Sequence, residues 1–87
     1  MGSEWHPIFL TDEVTAGVWE MKHATTYGPF GRVELRRVNG NLLRYKVTLG
    51  NEVIGWAGSL QVACERLYVA WVDRQEAGRR GPPNGNP

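Results

Sequence analysis

Two turn-forming pairs, Asn39-Gly40 and Gly50-Asn51, interrupt an alternating run and make it double back twice. Before the first pair the chain reads Arg32-Val33-Glu34-Leu35-Arg36, and after it Leu43-Arg44-Tyr45-Lys46-Val47. A period of two belongs to strands with one wet face and one buried face. Directly opposed residues of an antiparallel hairpin point the same way, so loop length decides which side chains share a face. A two-residue loop at Asn39-Gly40 would set Leu35 against Arg44 and Val33 against Lys46, mixing wet and buried positions. A three-residue loop, Val38-Asn39-Gly40, with Gly40 in the left-handed bulge position, removes that conflict. It sets Leu35 against Leu43 and Val33 against Tyr45, with Glu34 meeting Arg44 and Arg32 meeting Lys46. At the second turn, a two-residue Gly50-Asn51 loop places Val47 opposite Ile54 and Tyr45 opposite Trp56. The two turns agree on one inner surface, from Val33 and Leu35 through Leu43, Tyr45 and Val47 to Ile54 and Trp56.

The flanking segments extend this frame. "VWEMKH" (18–23) alternates, with Trp19 and Met21 on one side and Glu20 and Lys22 on the other, and reads as a further strand. "TTYGPFG" (25–31) has turn chemistry, and Tyr27 and Phe30 within it are expected to cap the edge of the core. Ser59 suits a helix N-cap, and "LQVACERLYVAWVDRQEA" then carries Leu60, Cys64, Leu67 and Trp71 on one stripe. Gly78 is the expected stop, and residues 78–87 read as a disordered tail in which Arg79 and Arg80 could touch phosphate. Residues 1–17, with an apolar knot at Trp5, Ile8, Phe9 and Leu10, read as an arm packing on the domain at 18–77. The expected fold is α+β in two layers: an antiparallel meander of three or four strands with one C-terminal helix on one face.

Composition narrows the chemistry. Cys64 is the sole cysteine, so neither an internal disulfide nor a cysteine-based zinc site can form. Its place on the inner stripe marks a buried, inert thiol. His6 and His23 are far apart, no carboxylate spacing marks a metal site, and the glycines mark turns rather than a phosphate cradle. The chain is therefore expected to be non-enzymatic, without cofactor, metal or small-molecule substrate. No apolar run approaches the roughly 18 residues of a membrane span. No signal-peptide pattern opens the chain, so a cytoplasmic protein that does not enter membranes is expected.

Two surfaces remain as functional candidates. The outer sheet face carries Lys22, Arg32, Arg36, Arg44 and Lys46 against Glu20 and Glu34, a local excess of positive charge in a chain of net charge +1. Such a face suits double-stranded DNA, whose major groove admits β-structure. Interleaved Arg, Lys and Glu also serve simply to keep an exposed sheet soluble. The order strand–strand–strand–"GWAGSLQVACERLYVAW", over about residues 32–72, resembles the three-stranded DNA-reading domains of AP2 proteins and of the amino-terminal part of some phage-type integrases. It also resembles short proteins of actinobacteria and their phages. The resemblance implies that Arg32, Arg36, Arg44 and Lys46 contact DNA while the helix supports the sheet from behind. Those domains often expose a tryptophan on the sheet, whereas the register above turns Trp56 inward. The second surface is the far side of the helix, where Val62, Val69 and Val72 form an apolar row. That row suits a protein partner or a second copy of the chain, unless the N-terminal arm covers it.

Overall fold

The computed structural model describes residues 5–80. A 3-10 turn, Pro7–Leu10, leads into a five-stranded antiparallel sheet in sequential order. The strands are β1 (Thr11–Thr15), β2 (Val18–Met21), β3 (Gly31–Val38), β4 (Leu42–Leu49) and β5 (Glu52–Ala57). A single helix, α1 (Leu60–Arg80), packs across one face, giving a two-layer α+β fold. The expected three or four strands fall short by at least one. The extra strand is β1, which the sequence hid because Thr11-Asp12-Glu13-Val14-Thr15 shows no apolar face. It is recruited by pairing, with Thr11 opposite Met21 and Asp12 opposite Glu20.

The inner face is built from residues of one parity. Met21, Val33, Val47 and Leu49 on the sheet meet Ala63, Cys64 and Leu67 on α1, all buried. Burying a leucine or valine of this kind contributes about 1.5–3 kcal/mol, so these few contacts dominate a small core. Ser59 starts the helix: its Oγ accepts the Val62 N–H at 3.2 Å and its carbonyl accepts the Ala63 N–H at 3.0 Å. The helix runs past Gly78 to Arg80, and residues 81–87 of the expected tail lie outside the described residues. Midway along the helix Trp71 stacks on Phe30, ring centroids 4.4 Å apart, and lies 5.1 Å from His23. Tyr27, expected to share the capping role, stands fully exposed instead.

Both hairpins differ from the expected register, with opposite consequences. At the first, Asn39 and Gly40 both take positive φ (47° and 78°), and Asn41 completes the loop between paired Val38 and Leu42. Leu35 therefore faces Tyr45 and Val33 faces Val47, a slip of two residues that leaves every side chain on its expected face. At the second, Gly50-Asn51 joins Leu49 directly to Glu52, with Gly50 at φ 62°. A bulge then intervenes: Val53 pairs with Thr48 and Gly55 with Val47, so Ile54 is an extra residue. Ile54 stays against the core, Gly55 adds no side chain to crowd it, and everything beyond is shifted in phase. Trp56 consequently pairs with Lys46 and points outward, 42% exposed, while the small Ala57 takes the buried place opposite Tyr45.

Both sheet edges are protected against further pairing. β1 is short, acidic and bulged near Val14. On β5 the Arg66 guanidinium donates to the Trp56 carbonyl at 2.7 Å, and Arg74 pairs with Glu52 at 3.3 Å.

Gly31 is where sheet and helix come closest. A Cβ there would lie 2.6 Å from Leu67 Cδ1 and 2.6 Å from the Thr48 carbonyl oxygen, and the latter cannot swing away. Gly31→Ala should therefore lower stability by about 1–3 kcal/mol through overpacking. Urea melts of the two proteins should show the midpoint falling at unchanged slope; an unchanged midpoint would refute the close approach.

Candidate nucleic-acid interface

The outer sheet face receives residues of even parity from β2, β3 and β4, and its charges separate along the sheet. Asp12 and Glu20 oppose each other at the β1–β2 end. Across β3 and β4, Arg32 lies opposite Thr48, Glu34 opposite Lys46, and Arg36 opposite Arg44. The basic character thus belongs to the β3–β4 hairpin.

Glu34 is the hub of that hairpin. Its carboxylate lies 3.3 Å from Lys46 Nζ and 3.7 Å from both Arg32 Nε and an Arg36 guanidinium nitrogen. Only 15% of its side chain is exposed, against 44% for Arg32 and 53% for Arg36, so the acid sits beneath its cations. Burial pushes the Glu34 carboxyl upward. Contact with the Lys46 ammonium, with the charges of Arg36 and Arg32, outweighs burial and holds it below the ordinary 4.5. The arrangement draws three long side chains around one carboxylate, and it spends one negative charge on three positive ones.

Arg44 is placed differently. Directly opposed like charges destabilise a strand pair, yet Arg44 faces Arg36 across the ladder. Its guanidinium donates only to the Leu43 carbonyl at 3.1 Å among the described residues, and no carboxylate answers it there. Trp56 lies beside Lys46 on this surface and supplies an exposed indole among the cations.

Four of the five residues expected at the basic face are therefore brought together: Arg32, Arg36, Arg44 and Lys46. Lys22 is not. β2 ends at Met21, and Lys22 lines a separate shallow hollow with Phe9, Asp12 and His23. Sequence reasoning missed Trp56, although Gly55 inside a strand pattern was a signal for a bulge. It also missed Arg37, which extends the basic character of the same hairpin on its other side.

On the far side of α1, Val62 and Val69 are exposed, whereas Val72 is half-buried toward the loop holding His23 and Thr25. The arm reaches the helix beside this row: Trp5 meets Tyr68 edge-on at 5.3 Å, and His6 Nε2 lies 3.7 Å from Glu65. An open groove of about 730 Å³, lined in part by Trp5, Ile54 and Val69, remains uncovered. Cys64 is fully buried, and loss of hydration pushes its thiol up to about 11. Among the described residues no group of His, Cys, Asp or Glu side chains comes together as a metal site, and no helix is long and apolar enough to cross a membrane. No family model, curated protein or solved structure matches the chain.

Because the folded-state Glu34 carboxyl lies below its ordinary value, its contribution to stability is complete above about pH 4.5 and is lost as pH falls through the depressed value. Glu34→Gln should cost about 1 kcal/mol at neutral pH. The gap between variant and parent should close below the carboxylate range. Denaturant melts at stepped pH would check this, and a gap that persists unchanged at pH 3 would contradict it.

Proposed function

We propose that this chain is a small non-enzymatic DNA-binding protein that meets duplex DNA with the outer face of its β3–β4 hairpin. The observation that carries the reading is the Arg36–Arg44 pair. Two arginines are direct cross-strand partners, and among the described residues a carboxylate stands beside Arg36 alone, an excess of positive charge that a row of phosphates would turn favourable. Lys46 and Arg32 continue the positive surface, oriented by Glu34, and Trp56 adds a flat ring able to lie against sugar or base. The outward Trp56 supports the resemblance to AP2-like and integrase-like domains on that one point, although the sheet here has five strands rather than three. Helix α1 supports the sheet from the opposite side and takes no part in contact.

Binding of this kind is weak and electrostatic, with a dissociation constant of about 10⁻⁴–10⁻⁶ M for random sequence at physiological salt. Titration of random-sequence duplex, followed by backbone amide shifts, should move signals of β3, β4 and Trp56 and leave α1 still. Arg36→Ala with Arg44→Ala should weaken binding roughly tenfold and flatten the salt dependence by about one unit per lost phosphate contact. Glu34→Gln should act in the opposite sense and tighten binding. Absence of any shift at low salt, or equal binding by the double variant, would overturn the reading.

The helix supports a second reading, self-association. Val69 is 55% exposed and Trp5 56% exposed beside the open groove, and contact between two copies would cover both. Sedimentation of the full chain and of Val69→Asp should then differ, with dimer lost in the variant. A monomer in both cases rejects this second reading.

A further inference from the structure

The β3–β4 hairpin outruns the rest of the sheet. β2 pairs with β3 only along Gly31–Glu34, and the Gly17 carbonyl takes the Leu35 N–H at 2.8 Å. β5 pairs with β4 no further than Tyr45. From Arg36 to Arg44 the chain is therefore a two-stranded ribbon whose rungs are Arg36–Arg44, Arg37–Leu43 and Val38–Leu42. None of these residues belongs to the core or packs against it. The segment reads RRVNGNLLR: three arginines, no acid, two asparagines at the tip and two leucines behind them.

Leu42 is 42% exposed and Leu43 47% exposed, and as neighbours in a strand they point to opposite faces of the ribbon. An unsupported two-stranded ribbon is marginal in water, and leucines left this exposed bury little apolar surface on it. Arginines occur on both faces, Arg36 and Arg44 on one and Arg37 on the other. That distribution is wasted on a flat surface and suits a cleft with anionic walls on either side.

Resting on the DNA-binding reading above, we infer that this ribbon, which prolongs the outer face, enters the major groove tip-first and reads A·T base pairs, Leu42 and Leu43 against thymine methyl groups and Asn41 against adenine, while Arg32, Lys46 and Trp56 lie over the adjoining backbone. Two strands about 4.8 Å apart with their side chains fit a groove about 12 Å wide and overfill one about 6 Å wide. The rungs from Arg36 to the tip span about 10–13 Å, enough to reach the floor of a groove about 8.5 Å deep. Arginines on both faces then lie level with the phosphates of the two walls, and the leucines lie near the base edges. Thymine alone presents a C5 methyl there, and an amide side chain matches the adjacent acceptor–donor pair of adenine. Asn39, held at φ 47°, shapes the turn and leaves Asn41 as the reading amide.

The test uses the full chain and three duplexes of equal length: A·T-rich, the same with deoxyuridine replacing every thymidine, and G·C-rich. The A·T-rich duplex should bind roughly fivefold to tenfold more tightly than the other two. Leu42→Ala with Leu43→Ala should abolish the difference between thymidine and deoxyuridine while keeping the salt dependence, and Asn41→Ala should narrow the gap to G·C. Equal binding to all three duplexes, with salt dependence intact, overturns this inference and leaves the DNA-binding reading standing. No duplex binding at low salt overturns both. In parallel, vesicles of phosphatidylcholine and phosphatidylserine offer an anionic surface without bases; leucine-dependent binding to these in place of DNA would overturn the groove assignment in favour of a lipid surface.

Discussion

Leu67 occupies the space over Gly31 that any larger residue would need, and the rest of the structure depends on that one contact. It sets the distance between helix and sheet, and Val33, Val47 and Cys64 fill in around it. With the helix seated over β3, β4 and β5, the odd-parity side chains of β3 have a partner and Arg32, Arg36, Arg44 and Lys46 on the other face do not. The cationic face is thus a by-product of where the apolar face found cover. Its charges are arranged by the sheet ladder and by the ion pairs of Glu34, which is why neighbouring residues matter so much on it.

The main lines of this arrangement were legible because turn residues and alternation agree. Asn39-Gly40 and Gly50-Asn51 name the hairpins, Ser59 names the helix start, and the Leu60–Trp71 stripe names its buried side. What escaped was whatever depended on pairing rather than pattern. β1 has no apolar face of its own and exists because β2 offers it a ladder. The first loop was assigned the right length with the wrong members, since Asn39 can adopt a left-handed conformation as Gly40 does. The slip was harmless because it was even. The bulge at Ile54 inserts one residue, and an odd shift turns the strand over, carrying Trp56 from the core side to the wet side.

The candidate site was legible in the same measure. Period-two spacing suffices to place Arg32, Arg36, Arg44 and Lys46 on one surface, since their common parity survives the slip in register. It fails for Lys22, because a strand's end cannot be read from alternation that continues past it. Nor does spacing reveal that Glu34 gathers three of these cations around itself. Charge counted by face treats that acid as a simple subtraction. In the folded molecule it also gathers Arg32, Arg36 and Lys46 into one cluster, setting their spacing while it offsets part of their charge.

The lone thiol offers a consequence of another kind. Cys64 sits where sheet and helix meet, wholly shielded, and the thiolate is the reactive form. A small alkylating reagent can reach it only when α1 lifts from the sheet. The rate at which label accumulates under native conditions is therefore a clock for that separation, ticking at the opening frequency of the two layers when capture outpaces closure. Nature has placed one reporter atom in this chain, at the seam whose parting undoes the fold.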